Sequence, residues 1–492
     1  MQFLRPPLSK STFLAVRAIA GLPRRPHCGI NKTILKTIRY IFPALLISIT
    51  SLKAESKIQN VLLIISDDLK TSALSCYGNK ICKTPNLDRL AARGMVFQHA
   101  YCQGTRCAPS RLSFMHSRYK GSDGKNMGEH FRDHGLHSAR VGKIYHMRVP
   151  GDIIAGTDGN DIASSWDEKF NTQGLEAHTP GDYACLNLNI FTKELENRQS
   201  TKMPHRMFVS VQYQGDGSDQ PDCKAADKTV ELLQKHQNKP FFIATGFVRP
   251  HYPSVAPKQY FDKYPHADMP LLKVPANDHD DIPKPGRAGT TSQKCGIAKW
   301  PANQQRMWSA YYATVTYMDE QLGKVLDELD RLKLTDSTAI VFISDHGYHL
   351  GEHHFWQKSN LHEEVTRVPM IIAAPGMTPG SSQSAVELID IYPTLCSLLK
   401  LPTPQTVQGK DLVPLLKNPK AQVRTAALSM FRGGHSLRGD RWAYMRYSSG
   451  EEELYDMQND PDQFINLVSN KEREQVKLRM REQLKTRRNE IK

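Results

Sequence analysis

Four runs of the chain are apolar almost without interruption: Asn60-Val-Leu-Leu-Ile-Ile-Ser66, Lys239-Pro-Phe-Phe-Ile-Ala-Thr-Gly-Phe247, Thr338-Ala-Ile-Val-Phe-Ile-Ser344 and Pro369-Met-Ile-Ile-Ala-Ala374. A strand with one wet face alternates apolar and polar residues, so unbroken runs of this kind predict strands buried on both faces. Between about Trp308 and Leu332, apolar residues at Val315, Met318, Leu322, Val325, Leu326 and Leu329 follow a helical period. Thr84 to Gly94 reads as a short capped helix ended by glycine. Strands alternating with helices predict an α/β layered domain, with a large, mostly parallel central sheet and helices on both faces. After Leu399 the pattern changes to short polar and aromatic segments such as Trp442–Tyr447 and Glu453–Tyr455, then a charged helix running to Lys492. The chain therefore divides into a leader (1–54), a main α/β domain (55–419) and a small C-terminal α+β subdomain (420–492). The stretch 150–225 is polar and rich in Gly and Asp, and is expected to line the mouth of a site.

In open α/β sheets, ligands bind beyond the carboxyl ends of the strands. The first run ends in Asp67-Asp68 and the third in Asp345-His346. Carboxylates converging on one sheet edge repel one another unless a cation lies between them. An oxygen-rich set of ligands suits Ca²⁺ or Mg²⁺.

Composition narrows the class. The 492 residues are 39% hydrophobic and 23% charged, with 31 Gly and 30 Pro, which excludes collagen, coiled coil, low-complexity disorder and a polytopic membrane protein. The formal charge of +15 points toward nucleic acid only until its distribution is read. Residues 1–54 hold nine Lys and Arg and no acid, and setting these aside takes +15 to +6. The alternating charges of Lys471–Arg481 read as a solvated helix face, so no nucleic-acid partner is expected. The run Tyr40–Leu52, preceded by Lys36 and Arg39, is too short to span a bilayer and has the size of a signal-peptide core. We expect a chain exported to the periplasm or secreted, mature from near Glu55, with no stable membrane span after cleavage. The eight cysteines beyond Cys28 form no disulfide-scaffold spacing and no CxxC zinc pair. His349-Leu-Gly-Glu-His353 fits an inverted zinc-protease motif, but Gly351 interrupts the helix that motif needs.

The sharpest motif is Cys107-Ala108-Pro109-Ser110-Arg111. It resembles the C-x-P-S-R signature of the type I, formylglycine-dependent sulfatases of the alkaline-phosphatase-like superfamily. Further blocks follow in order: Pro85–Asp88, Gly142-Lys143-Ile-Tyr-His146, Pro250-His251, Met318-Asp319, Ser344-Asp345-His346-Gly347, Leu350–His353 and Val368-Pro369. The set is most similar to the iduronate-2-sulfatase-like branch, and the resemblance runs from Asn60 to about Leu467.

The resemblance implies an alkaline-phosphatase-like layered fold and hydrolysis of sulfate esters, with a sulfated carbohydrate as the expected substrate. It implies that a formylglycine-generating or equivalent maturation enzyme converts Cys107 to formylglycine, whose hydrate attacks sulfur. It implies one Ca²⁺ held by Asp67, Asp68, Asp345, His346 and the modified Cys107. Arg111 is then expected to hold the hydrate, Lys143 and Lys358 to contact sulfate, and His146 and His251 to share the proton transfers. A phosphomonoester or phosphonate-ester hydrolase is the enzymatic alternative, and an unmodified sulfated-glycan-binding protein the non-catalytic one. One segment departs from the family: Ser113-Phe-Met-His-Ser-Arg118 carries His116-Ser117 where Thr-Gly is usual. That segment helps the maturation enzyme recognise the chain.

Overall fold

The computed structural model describes residues 58–198 and 202–491, so the expected leader and its cleavage point lie outside the described residues. Nine strands build the central sheet: β1 (Asn60–Asp67), β2 (Met95–Tyr101), β3 (His137–Gly142), β4 (Glu168–Phe170), β5 (Phe241–Pro250), β6 (Thr338–Ser344), β7 (Arg367–Val368), β8 (Met370–Ala373) and β9 (Gly380–Glu387). Their order is β7-β2-β8-β6-β1-β5-β3-β4, with β9 paired to β2. The pairings β1 with β6, β1 with β5, β3 with β5 and β3 with β4 are parallel, as the alternating pattern predicts. At the other edge β8 runs antiparallel to both β6 and β2. The apolar run at 369–374 is thus a buried strand but not a parallel one, because an apolar run carries no information about direction.

Strand β1 explains why its sequence does not alternate. Leu62 and Ile64 enter the core on one face, while Val61, Leu63 and Ile65 enter the core on the other. At roughly 1.5–3 kcal/mol for each fully buried aliphatic side chain, both faces hold this strand at the sheet centre. Among the helices, α1 (Pro85–Arg93), α2 (Cys107–His116), α3 (Pro221–His236) and α4 (Pro301–Arg331) lie in the main domain, while α5 (Glu474–Glu490) packs Met480 and Leu484 against the C-terminal strands. Helix α4 starts before the predicted span, because its first turn is polar and begins on Pro301, which is pre-organised for the first helical position. Its inner face packs Met307, Trp308, Tyr311, Val315, Met318, Leu322 and Leu326 into one core.

The polar stretch 150–225 does more than edge a site. It supplies β4, and its segments Asp182–Cys185, Ile190–Thr192 and Val209–Tyr213 join Ser254–Pro257 in a separate four-stranded sheet. Near the C-terminus, Ala426–Phe431, Gly434–Gly439, Trp442–Arg446 and Glu452–Asp456 form an antiparallel meander. Its first strand abuts the segment leading to Cys107: Met430 N donates to Gln103 O at 2.9 Å, and Ser429 Oγ to Cys102 O at 2.6 Å. All eight cysteines among the described residues are free. Among the described residues, no helix is long and apolar enough to cross a membrane.

Candidate active site

Parallel strands deliver their ends to one place. Strand β1 ends on Asp67, β6 runs directly into Asp345 and His346, β3 into Lys143, and β5 into His251. Helix α2 begins at Cys107, so the thiol sits at a helix N-terminus, where unpaired N–H groups favour negative charge. Lys358 arrives on the segment after β6, between Gln357 and Ser359, which both adopt left-handed backbone (φ 78° and 77°). Asp68 is left-handed as well, at φ 64°. Strained non-glycine backbone of this kind costs on the order of 1–3 kcal/mol per residue and clusters at functional sites.

Asp67, Asp68, Cys107, Arg111, Lys143, His251, Asp345, His346 and Lys358 are buried, and His146 is half-buried. Arg111, one helical turn after Cys107, donates from Nη2 to Asp67 Oδ1 at 3.0 Å and from Nε to Asp345 Oδ2 at 2.9 Å. Its Nη1 donates to the carbonyls of Lys143 and Ile144. The guanidinium fork therefore ties three strand ends together and faces the acids, not the mouth. Lys143 Nζ closes on the other oxygen of Asp67. Burial opposes the charge of Asp67, but Lys143 and Arg111 outweigh it and hold this carboxyl well below the usual range.

Lys358 Nζ bridges Asp68 Oδ1 at 2.5 Å and Cys107 Sγ at 3.1 Å. His346 Nε2 lies 3.3 Å from the same sulfur, and its Nδ1 lies 3.0 Å from Gly347 O. Burial and the charge of Asp67 act against a thiolate at Cys107; Lys358 and Lys143 overcome them, and the thiol sits below its ordinary value. Burial pushes Asp68 up to about 7 despite Lys358 and His346. His251 is held neutral by burial, with Nδ1 2.6 Å from Tyr252 O and Nε2 3.7 Å from Asp68 Oδ2. Burial, then the charge of Lys143, lowers His146 to about 4.

The structure thus brings together all ten residues singled out in the sequence, and sorts them. Single ligand atoms from Asp67, Cys107, Asp345 and His346 all lie within 4.8 Å of one another, and a second such group joins Asp68, Cys107 and His251. Asp68 Oδ2 is buried without a hydrogen-bond partner. Around them a cavity of 670 Å³ opens past Cys107, His146, His251, Tyr252, Lys358, Arg148 and Arg206.

Several supporting residues carry no motif. Tyr311 on α4 donates to Asp68 O at 2.7 Å and fixes the left-handed turn. Ser110 Oγ donates to Asp345 O at 2.5 Å. Arg249, fully buried, pairs with Glu176 at 3.0 Å, while Asp222 accepts from the Val248 and Arg249 amides at 2.7 and 3.0 Å. These bonds set the course of β5 just before His251. Gly246 and Gly142 lie opposite each other: a Cβ on Gly246 would stand 2.1 Å from Lys143 O, so only glycine lets Lys143 come this close to β5. The segment His349–His353 forms no continuous helix, since Gly351 has φ 114° and His353 φ 54°. It therefore lacks the scaffold of a zinc-protease motif.

Residues 59–401 match the model of the sulfatase family, and residues 351–490 that of the N-sulphoglucosamine sulphohydrolase C-terminal region. A sulfatase of Formosa agariphila is 30% identical over 445 residues, covering 84% of this chain and 83% of that protein. Mouse iduronate 2-sulfatase is 28% identical, covering 83% of this chain and 76% of its own. Among solved structures, a protein in complex with its substrate D-glucosamine-2-N,6-O-disulfate superposes with a TM-score of 0.67 at 21% identity, over 88% of this chain and 98% of that one. The phosphonate monoester hydrolase of Agrobacterium radiobacter superposes at 0.71 and 22% identity, over 88% and 96%. Two likenesses of that level speak for the alkaline-phosphatase-like fold; the match over residues 59–401 and the 30% relative carry the assignment: the chain belongs to the sulfatase family and is a sulfuric ester hydrolase.

Proposed function

We propose that the protein is an exported sulfatase that removes sulfate from a sulfated carbohydrate by the formylglycine route, with one Ca²⁺ in its site. The observation that carries this reading is the position of Cys107 Sγ, at the head of a helix and between Lys358 and the acids at the ends of β1 and β6. Cys107 in its signature pentapeptide supports modification by a maturation enzyme. Once formed, the hydrate of the aldehyde supplies a nucleophile for sulfur and a second hydroxyl through which sulfate can leave.

The donor set fits a hard divalent cation. Three buried carboxylates converge, and the partnerless oxygen of Asp68 is a buried acceptor that such an ion would satisfy. Asp67, Asp68, Asp345 and His346 would hold it together with residue 107. Ca²⁺ there supplies charge that polarises the sulfate oxygens and acidifies the attacking hydroxyl.

Charge balance supports the same reading. The three carboxylates Asp67, Asp68 and Asp345 meet three fixed cations, Arg111, Lys143 and Lys358. With all three carboxylates ionised around a cation the side chains would cancel, so a divalent ion would leave the site positive for an anionic ester and for the charge that builds on its oxygens. Arg111, with its donors taken by the acids and two carbonyls, acts as a positioning residue. Lys358 and Lys143 stand beside residue 107, and His146 and His251 divide the proton transfers to the leaving alkoxide and from the hydrate.

The likeness to a phosphonate monoester hydrolase favours one alternative, phosphate or phosphonate esters in the same cradle. Turnover of 4-nitrophenyl sulfate and 4-nitrophenyl phosphate by the same preparation decides between them. Preference for the sulfate is expected; a phosphate ester preferred by orders of magnitude would reject the proposal.

A further inference from the structure

Next to the cavity over Cys107 lies a second cavity of 460 Å³, and the two share Gln357, Lys358 and Ser359. No Asp or Glu lines either one. The second cavity is lined by Lys284 and Arg287 and by Phe431, Arg432 and Tyr447 from the C-terminal meander and its turns. Lys284, Arg287, Arg432 and the neighbouring Arg106 are exposed; none is paired with a carboxylate among the described residues, and Arg287 donates from Nε and Nη2 to the carbonyls of Ile282 and His279 at 2.9 and 2.6 Å. Like charges gathered without acids repel one another, and this positive potential is available to an anion.

Two further observations tie this patch to the reaction site. Phe431 is flanked by both neighbouring guanidiniums, with Arg106 5.7 Å and Arg432 5.1 Å from its ring centroid. Arg106 directly precedes Cys107, so the sequence of the signature reaches the meander through one aromatic ring. Arg432 and Gly433 form the two-residue turn between the paired Phe431 and Gly434, with φ of 46° and 80°. Both central positions of such a turn favour Asn, Asp or Gly. An arginine held left-handed at the tip is strain retained where the side chain faces the cavity.

We infer that Arg432, Arg287 and Lys284, with Arg106 stacked alongside, form a second anion site. It takes an oxyanion substituent, sulfate or carboxylate, on the saccharide unit adjacent to the ester being cleaved. The inference rests on the sulfate-ester reading above and extends it: the substrate is polyanionic, and the C-terminal meander helps select it. The Arg432 fork can give such an oxyanion paired, charge-assisted hydrogen bonds, while Arg287, held by the carbonyls of Ile282 and His279, contributes its charge and its remaining Nη1 donors.

The test compares three sulfated disaccharides that differ only on the neighbouring ring, which is neutral, sulfated or a uronate. Each is assayed with the mature enzyme, with Arg432→Gly and with Arg287→Gln, and 4-nitrophenyl sulfate reports the reaction itself. The wild type is expected to favour the doubly anionic substrates in kcat/KM by at least about tenfold, the scale of one charged hydrogen bond. That advantage is expected to fall at least about fivefold in each variant and to shrink with added salt, with 4-nitrophenyl sulfate turnover held within about twofold. Arg432→Gly removes left-handed strain, so an unchanged or higher thermal midpoint guards against loss of fold. A preference confined to the sulfated or to the uronate ring names the group bound. No advantage in the wild type, or an advantage untouched in both variants, overturns the second site. Absence of any 4-nitrophenyl sulfate turnover instead condemns the sulfatase reading. In that event, calorimetric binding of the disulfated disaccharide still judges the second site, with weaker binding to Arg432→Gly supporting it and equal binding rejecting it.

Discussion

Helix α2 closes on Ser117, which adopts left-handed backbone (φ 52°, ψ 49°), a conformation that favours glycine. A side chain there costs roughly 1–2 kcal/mol. The hydroxyl offsets it: Ser117 Oγ donates to Ile389 O at 2.5 Å and accepts from Gly409 N at 3.1 Å. The departure at residue 117 is thus locally compensated, and the end of the helix that begins with Cys107 keeps its place. His116 beside it is buried, and burial disfavours its charged form. Ser117→Ala keeps the strain and loses both bonds, and urea denaturation should show a loss of about 2 kcal/mol. Ser117→Gly loses the same bonds but sheds the strain, and should be the more stable variant by about 1 kcal/mol. Ser117→Ala as stable as wild type would contradict this compensation.

At the scale of elements, the segment between β6 and β7 carries Lys358 to the site and is anchored behind it by buried histidines. His353 Nδ1 lies 3.0 Å from Asp278 Oδ2, and both side chains are fully buried. Burial opposes a charged His353, but the hydrogen bond to Asp278 and the charge of Glu364 prevail and raise its pKa to about 9. A raised pKa contributes stability that is complete below the unfolded value near 6.5 and is lost as pH rises through 9. The contribution is at most about 3 kcal/mol. His353→Gln is therefore expected to lower the thermal midpoint near pH 6, with a gap to wild type that narrows by pH 10. A gap constant across that range would show that His353 is not charged in the folded chain. The element scale also shows what the sequence exposes and what it hides. Strands β1 and β6 were readable because burial on both faces demands unbroken apolar runs, and Asp67, Asp68, Asp345 and His346 follow those runs directly. The C-x-P-S-R pentapeptide pointed to Cys107 in the same way. Glu176 and Arg249, 73 positions apart, gave no such signal, because charge in a sequence does not reveal that a residue will be buried with a partner. Tyr311 was hidden in the same way, on a helix face that it shares with ordinary core residues such as Met307, Trp308 and Val315. The antiparallel course of β8 was unreadable for want of any mark of direction.

Across the whole molecule, one sheet edge gathers three carboxylates and three fixed cations from five separate segments, and their mutual attraction costs desolvation at every member. Removing one member of a buried, paired set leaves its partner uncompensated, with losses of about 3–5 kcal/mol. Asp345→Asn keeps the shape while deleting a charge that Arg111 depends on. Loss of bound calcium, measured by elemental analysis of the folded protein, and loss of sulfatase turnover are expected together; retention of both would remove Asp345 from the metal set. Chemistry at residue 107 stands above all of these contacts, and a glycan-binding protein with an intact thiol is the reading it must exclude. The measurement is a mass spectrum of the tryptic peptide Cys107–Arg111 from protein matured in its native host, set beside turnover of 4-nitrophenyl sulfate by the same sample. Residue 107 should be read as the aldehyde, with turnover proportional to the fraction converted and absent in Cys107→Ser. A peptide carrying only the unmodified thiol, from a sample that hydrolyses the ester at full rate, would contradict it.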